Sequence, residues 1–552
     1  MRGGAMVRRL GIGTTSVALA LAALVAMPPA RTFAFCGFYV SGAAGPLYNK
    51  ATYVVMMRDG LRTVLSMQNN YEGPPESFAM VVPVPVVLQR ENVHTLDRAV
   101  FDRVDQLAAP RLVEYWEQDP CYRPRVERYR GGVMRRPMAR SAPGGARADS
   151  DLGVRVEAQF TVGEYDIVIL SATDSSGLDT WLRRERYNIP PGAERVLRPY
   201  VAAGTKFFVA RVNAERVRFE NGRALLSPLR FHYDTETFTL PLRLGLLNSA
   251  GEQDLIVHIL SRGQRYEVAN YRNVTVPTNI DVANAVRERF PAFYAALFDR
   301  TAAQNPGAVI TEYAWGATSC DPCPTSPLSE GDFRTLGSDV IPPRQVDVYD
   351  PRGTFVLTRL HYRYTRETLG EDLVFREAGA IVGGREMQGP NGRLEYGART
   401  DQHNNFQARY IIRHWWQGPI RCANPRRGIW GGPPGGEHNA PRAARDLAFV
   451  PRGNVDLSSL VRRRVPELGI TPRRGGRTNP SSPLNPPMLR PETHGGRPTP
   501  RPSGVVRGAS MAGCSVAGLR DGGLAAALVL ALGALGVIVV RRRTSPPKRR
   551  RS

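Results

Sequence analysis

Seventeen consecutive residues near the C-terminus, Leu524 to Val540 (LAAALVLALGALGVIVV), carry no charge. With Gly522 and Gly523 they make a nineteen-residue stretch closed by Asp521 and Arg541. As a helix this stretch rises about 28 Å at ~1.5 Å per residue, close to a bilayer core of roughly 30 Å. The spacing predicts a single transmembrane helix at 522–540. Behind it, Arg541, Arg542, Arg543, Lys548, Arg549, Arg550 and Arg551 make 541–552 a basic tail, and basic clusters beside a spanning helix stay cytoplasmic. The rest of the chain is then expected to stand outside the cytoplasm, with the membrane as its partner.

The N-terminus agrees. Arg2, Arg8 and Arg9 precede a short apolar run, Ser16–Met27, and Thr32-Phe33-Ala34 supplies small residues at a cleavage site. This order marks residues 1–34 as a secretory signal peptide. Phe35 stands before Cys36 where a lipoprotein box needs a small residue, so Cys36 is expected to be free for a disulfide.

A net charge of +24 would suit nucleic acid, but its location argues otherwise. It is concentrated in the tail, in residues 123–147 and in residues 421–512, which leaves the rest near neutral. A nucleic-acid binder places its basic face on a folded element, so no nucleic-acid partner is expected. Arginine-rich linkers could touch anionic lipid or envelope polysaccharide by charge attraction. Export permits disulfides, and six cysteines are available: Cys36, Cys121, Cys320, Cys323, Cys422 and Cys514. The first five are structural disulfide candidates, an odd number that leaves one unpaired.

In chain order, Asp59-Gly60 between two apolar β-branched runs at 51–69 predicts a hairpin. Phe78–Leu88 reads as a strand, and Pro83 and Pro85 assign it to a sheet edge or bulge. Thr95 is read as the N-cap of a helix with Leu96, Val100, Val104 and Leu107 on one face. Pro110 breaks or kinks it, and Leu112, Tyr115 and Trp116 continue to Cys121. A Cys36–Cys121 bridge would staple this block, 36–122, at both ends, and is the pairing favoured for these two. Residues 123–152 read as a flexible insertion. In the main ectodomain, 153–430, strands are expected at Glu164–Ala172, Lys206–Val212, Leu229–Asp234, Thr237–Leu247, Asp254–Ser261, Tyr266–Val276, Phe355–Thr365, Leu373–Val382 and Phe406–Trp416. Helices are expected around Leu178–Leu182, at Ala193–Ala203 and at Asp281–Arg300, the last kinked by Pro291. The class is α+β, mainly β, an antiparallel strand-rich ectodomain with a few packed helices. From 431 to 521, Pro, Gly and Arg dominate, and this part is read as a disordered stalk.

Three early blocks carry a resemblance: CGFYVSGA at Cys36–Ala43, TVLSMQNNYEGPPESFAMVVPVPVVL at Thr63–Leu88, and FDRVDQLAAPRLVEYWEQDPC at Phe101–Cys121. GEYDIVILSA at Gly163–Ala172, GTKFFVARV at Gly204–Val212 and LSPLRFHYD at Leu226–Asp234 fit it too. Over about residues 36–425 the chain resembles the bacterial domain-of-unknown-function 2330 family. That resemblance implies export and a cysteine-containing ectodomain, and it brings no catalytic residue with it. The C-terminus, Gly513-Cys514 followed by an apolar helix and an arginine cluster, resembles a myxobacterial C-terminal sorting signal. The resemblance implies cleavage near Cys514 by a sorting protease, with Cys514 as the final anchor. The segment Thr544–Ser552 runs past that pattern.

Motifs that would compel an enzyme are missing from the sequence. Cys320-Asp321-Pro322-Cys323 is a CxxC, but Pro324, Thr325, Ser326 and Pro327 start no helix, the element that activates a redox thiolate. A structural cluster with Cys422 is favoured over exchange chemistry. Zinc would need four thiol or imidazole ligands, and Cys320, Cys323, Cys422 with His414 or His403 match no such spacing. No metal or cofactor is expected, and there is neither HExxH nor GxSxG. His414, Trp415 and Trp416 form the most suggestive local group. Paired indoles can stack on sugar rings, although indoles packed into the core at a strand end explain the same pattern. The chain is therefore read as an exported, anchored protein with a binding or structural role in the cell envelope. The alternative is an envelope enzyme acting by thiol–disulfide exchange through Cys320 and Cys323.

Overall fold

A computed structural model describes residues 38–41, 52–68, 78–121, 149–150, 153–185, 187, 189–220, 223–248, 251–342, 354–385, 394–435, 440–444, 450 and 453–473. The chain divides into two units, 1–482 and 483–552. The second lies wholly outside the described residues. So do the segment 1–34 read as a signal peptide, Cys36, most of the segment 123–152 read as an insertion, Cys514 and the apolar run at 522–540. Among the described residues no helix is long and apolar enough to cross a membrane.

The middle of the first unit is an eleven-stranded sheet. Its strands run in the order Arg399–Thr400, Ile381–Gly383, Asn405–Gln407, Val309–Gly316, Phe355–Tyr364, Gln253–Arg262, Thr52–Asp59, Arg62–Gln68, Leu229–Asp234 and Val93–Thr95. Asn273–Thr275 pairs alongside Val309–Gly316. The sheet is mixed: Gln253–Arg262 runs parallel to Thr52–Asp59 and antiparallel to Phe355–Tyr364. Gly60, at φ +59°, turns the first hairpin, a backbone state that costs glycine little.

Successive side chains of a strand point to opposite faces, and here both faces are covered. Val54 and Met56 pack with Met80, Val82, Ile167, Ile169 and Phe208 of a second, six-stranded sheet. Tyr53, Val55 and Met57 face the other way, toward the helices Arg98–Ala108 and Phe290–Gln304 and a five-stranded sheet. On the outer face of the six-stranded sheet lie the helices Ser175–Arg184 and Ala193–Ala202, anchored by Leu178, Leu182, Leu197 and Val201. The layers are helices, sheet, sheet, then helices with a small sheet. The class is α+β and strand-rich, as expected. A strand buried on both faces needs an unbroken apolar run, which is why TYVVMM stands in the middle of the molecule.

Several local expectations change. The helix Arg98–Ala108 is capped by Asp97, which accepts from Ala99 N, rather than by Thr95. Burying Val100, Phe101, Val104 and Leu107 contributes about 1.5–3 kcal/mol each. After Pro110 the chain becomes a strand, Arg111–Glu117, which pairs parallel with Arg409–His414. Pro291 starts a helix instead of kinking one: it sits in the first turn of Phe290–Gln304, where no backbone donor is required. Pro83 lies in an interior strand, yet the neighbour Phe38–Ser41 ends at Val81, so only Lys206–Val212 flanks the proline. Strands Val154–Val162 and Val309–Gly316 were not anticipated. The folded body also runs past 431. Leu460, Val461, Val465, Leu468 and Ile470 are buried in the same core as the Phe290–Gln304 helix, so residues through Arg473 belong to the fold.

Candidate functional site

The five-stranded sheet carries the group that the sequence singled out. Arg111–Glu117 and Arg409–His414 run parallel, with His414 opposite Trp116 and Ile412 opposite Glu114. One face begins in the core with Leu112 and Ile412 and continues outward through Glu114, His414 and Trp116. The rings of Trp116 and His414 stack at 4.5 Å and 15°. His414 Nε2 lies 2.8 Å from Glu114 Oε2, and Arg287 donates to both oxygens of Glu114, its Nε at 2.8 Å. Burial acts to raise the Glu114 carboxyl, but the hydrogen bonds from Arg287 and His414 outweigh it and hold the group below the usual carboxylate range.

The chain after His414 folds back as a loop, 415–431, and is pinned at several points. Glu117, buried, accepts from Arg427 Nε and Nη2 and from Gly428 N, each at 2.8 Å, and from Trp416 N at 3.1 Å. Trp430 and Gly431 pair antiparallel with Glu117 and Trp116. Cys121 is disulfide-bonded to Cys422, which replaces the favoured Cys36–Cys121 pairing. The strand Arg111–Glu117 delivers Cys121 to the loop carrying Cys422, a proximity that 301 residues of separation conceal.

This clamp presents aromatic rings. Trp415 meets Trp430 edge-on at 4.9 Å, and the Arg413 guanidinium lies 4.9 Å over the Trp430 ring. Trp416 packs over Gly418, where an added Cβ would lie 2.5 Å from the indole. Its indole N–H is buried without a partner among the described residues. Trp116, Trp415, Trp416 and Trp430, four of the six tryptophans, share this lobe, half-buried, beside exposed Ile420 and Ile429. The indoles therefore line the rim of a small sheet and do not fill the main core.

A second cluster escaped the sequence reading. Arg359, His361 and Arg363 alternate on one face of their strand, beneath the helices Arg98–Ala108 and Phe290–Gln304. A β-bulge on the neighbouring strand, between Thr311 and Tyr313, turns Glu312 onto the same face. Glu312 accepts from Arg359 Nε at 2.6 Å and from Tyr294 Oη at 2.6 Å, and lies 2.9 Å from His361 Nδ1. Asp105 binds Arg359 from one helix, and Asp299 binds Arg363 at 2.5 Å from the other. Asp254 bridges His361 and Arg363. Phe298 stacks on His361 at 3.7 Å. Burial raises Glu312, but His361 and Arg359 overcome it and bring its pKa down to about 2. Burial lowers His361, but Glu312 and Asp254 overcome it and raise the imidazole. His258, facing Arg359, is driven down by burial and by that charge. No side-chain atom of Glu312, Arg359 or His361 meets solvent. The cluster is a clamp between sheet and helices, with no room for a substrate.

An open cleft of about 590 Å³ lies elsewhere, lined by Arg265, Glu267, Asn305, Tyr396 and Glu467 among others. In it Arg265 pairs with Glu267, and the Tyr396 hydroxyl donates to Glu467. Cys320 and Cys323 bond to each other, so the expected cluster with Cys422 does not form. Among the described residues no group of three His, Cys, Asp or Glu side chains is placed to hold a metal ion.

A family model described as an uncharacterized protein conserved in bacteria, DUF2330, matches residues 29–376. The chain belongs to the DUF2330 family. No curated protein and no solved structure matches it. The DUF2330 span contains Glu114, Trp116 and Cys121, while His414, Trp415, Trp416, Cys422 and Trp430 follow it. The aromatic lobe is thus built across the end of the DUF2330 match, and Cys121–Cys422 ties its two parts together.

Proposed function

We propose that this DUF2330 chain is an exported binding protein of the cell envelope, anchored at the membrane or the cell surface, with the aromatic lobe as its ligand-binding face. The observation that supports this most is the gathering of Trp116, Trp415, Trp416 and Trp430 at a half-exposed rim held rigid by Glu117 and a disulfide. Rigid aromatic faces beside a few placed polar groups suit a ligand that is apolar on its ring faces and polar at its edges. Envelope polysaccharide has that chemistry, and Glu114, His414 and Arg287 supply the polar rim. Anionic lipid is the other candidate; it would engage the arginines rather than the indoles.

Export rests on the segments at 1–34 and 522–552 together with disulfide pairing, which suits an oxidising compartment. Retention of the C-terminal helix, or its removal by a sorting protease at Cys514, is decided by mass spectrometry of the mature C-terminus. An intact 541–552 peptide in cell-surface material rules out sorting. The binding reading is tested by titrating the full chain with purified envelope polysaccharide and following tryptophan fluorescence. Saturable quenching or enhancement is expected, and a flat titration removes the polysaccharide reading. The alternative of an envelope enzyme draws on a different part of the molecule, the Cys320–Cys323 loop.

A further inference from the structure

We infer that Cys320–Cys323 is a reversible thiol–disulfide exchange site, activated by the buried guanidinium of Arg111 and accepting electrons from a dithiol donor.

The pair occupies a loop whose backbone is held independently of the sulfur–sulfur bond. Arg111 Nη1 donates to Pro322 O at 2.8 Å, Gln407 Nε2 to Asp321 O at 2.6 Å, and Gln106 Nε2 to Pro324 O at 3.1 Å. These three anchors come from a strand, a second strand and a helix, so opening the disulfide leaves the loop seated. Cys323 Sγ lies 3.0 Å from Cys320 O, and Cys320 Sγ lies 3.8 Å from Thr325 O.

The two sulfurs differ in access. Cys323 is exposed, whereas Cys320 is half-buried against the core. Arg111 is fully buried and has no carboxylate partner among the described residues. Its Nη2 donates to Leu107 O at 2.6 Å, its plane lies 5.4 Å over Tyr313, and its Nε is unsatisfied. Burial pushes the Arg111 guanidinium down, Tyr313 opposes this, and the nearby Arg409 and Arg359 add charge of the same sign. The acidic neighbour of the pair, Asp321, is exposed to solvent. A positive charge beside a cysteine favours its thiolate, and a thiolate that forms readily leaves readily. A helix N-terminus, the usual source of that field, is absent from this loop, and Arg111 takes its place.

The step balances. A thiolate of the donor attacks Cys323 Sγ, the Cys320–Cys323 bond breaks, and its electron pair departs on Cys320. The donor's second thiol, losing its proton to solvent, attacks its own sulfur in the mixed disulfide and releases Cys323. Two electrons pass from the dithiol to the protein, the donor leaves as a disulfide, its two protons go to solvent, and the released cysteine sulfurs take up protons from solvent.

The test uses the folded full chain, treated with a dithiothreitol series and then alkylated, with peptide mass spectrometry reading each cysteine. Cys121–Cys422 is the internal reference. Cys320–Cys323 should be half-reduced at a dithiol concentration at least about tenfold lower, should re-form when oxidised dithiothreitol is added, and should leave the circular dichroism spectrum unchanged. Joint opening of both pairs, or opening only with loss of structure, overturns the inference. Arg111→Met should slow reduction about tenfold, with Arg111→Lys restoring part of it; an unchanged rate removes Arg111 from the account. Where Arg111→Met fails to fold, Cys323→Ser decides the matter. Its single Cys320 thiol should alkylate faster in the native protein than in urea, and an equal or slower rate overturns the inference.

Discussion

Glu312 is the residue on which the central sheet and its two helices converge. Replacing it with Gln leaves Arg359 and His361 buried with one carboxylate fewer. Breaking a buried ion pair in this way costs about 3–5 kcal/mol, so Glu312→Gln should lower the urea midpoint steeply. A shift below about 1 kcal/mol would mean that the cluster is not a clamp. The pH dependence has two limbs. Glu312 is depressed when folded, so its contribution is present above the unfolded value of about 4.3 and is lost as pH falls toward about 2. His361 is raised when folded, so its contribution is complete below an unfolded value of about 6.5 and is lost as pH rises through the folded one. Thermal melts should therefore be most stable between roughly pH 4.5 and 6.5, and Glu312→Gln should flatten the acid limb. An acid limb of unchanged slope in the variant would assign acid unfolding to other groups. None of this was legible in the sequence. Asp105 and Arg359 are 254 positions apart, and Glu312 owes its direction to a bulge that no composition signal marks.

At the level of elements, the loop 415–431 is rigid because Glu117 and Cys422 hold it. Cys422→Ser should cost about 2–5 kcal/mol and should expose the amides of 415–431 to hydrogen exchange ahead of the Arg409–His414 strand. Uniform exchange across both segments would show that the disulfide does not define the lobe. Gly418→Ala places a methyl 2.5 Å from the Trp416 ring, so the indole must move. The tryptophan emission maximum should shift red, and an unchanged spectrum would mean that the ring is not seated there. Strands such as Lys206–Val212 and Leu229–Asp234 were legible end to end because their apolar runs stop at turn residues. Val309–Gly316 was not, because Glu312 interrupts its apolar run. Pro110 breaks the helix, one of the two outcomes expected there, and the strand after it carries no signal of its own because a helical face and a strand face share residues over so short a window.

Across the whole molecule, the sequence located the aromatic group and the fold class but not the path between them. His414, Trp415 and Trp416 were visible as neighbours in the chain. Trp116 and Trp430 join them only through a parallel strand pair and a disulfide-clipped return, both of which need the three-dimensional register. The same register brings residues 453–473 onto the core, in a region whose Pro, Gly and Arg content suggested a stalk. Among the described residues there is a layered body with a half-exposed aromatic rim, the proposed binding face. The measurement that tests it most directly is co-sedimentation of the full chain with insoluble envelope polysaccharide, comparing wild type with Trp415→Ala. One aromatic contact is worth about 0.5–1.5 kcal/mol beyond its buried area. Binding of wild type and a three- to tenfold weaker variant, roughly that energy expressed as affinity, is the expected result. Equal binding by both proteins, or by neither, would rule out the aromatic rim as a polysaccharide-binding face.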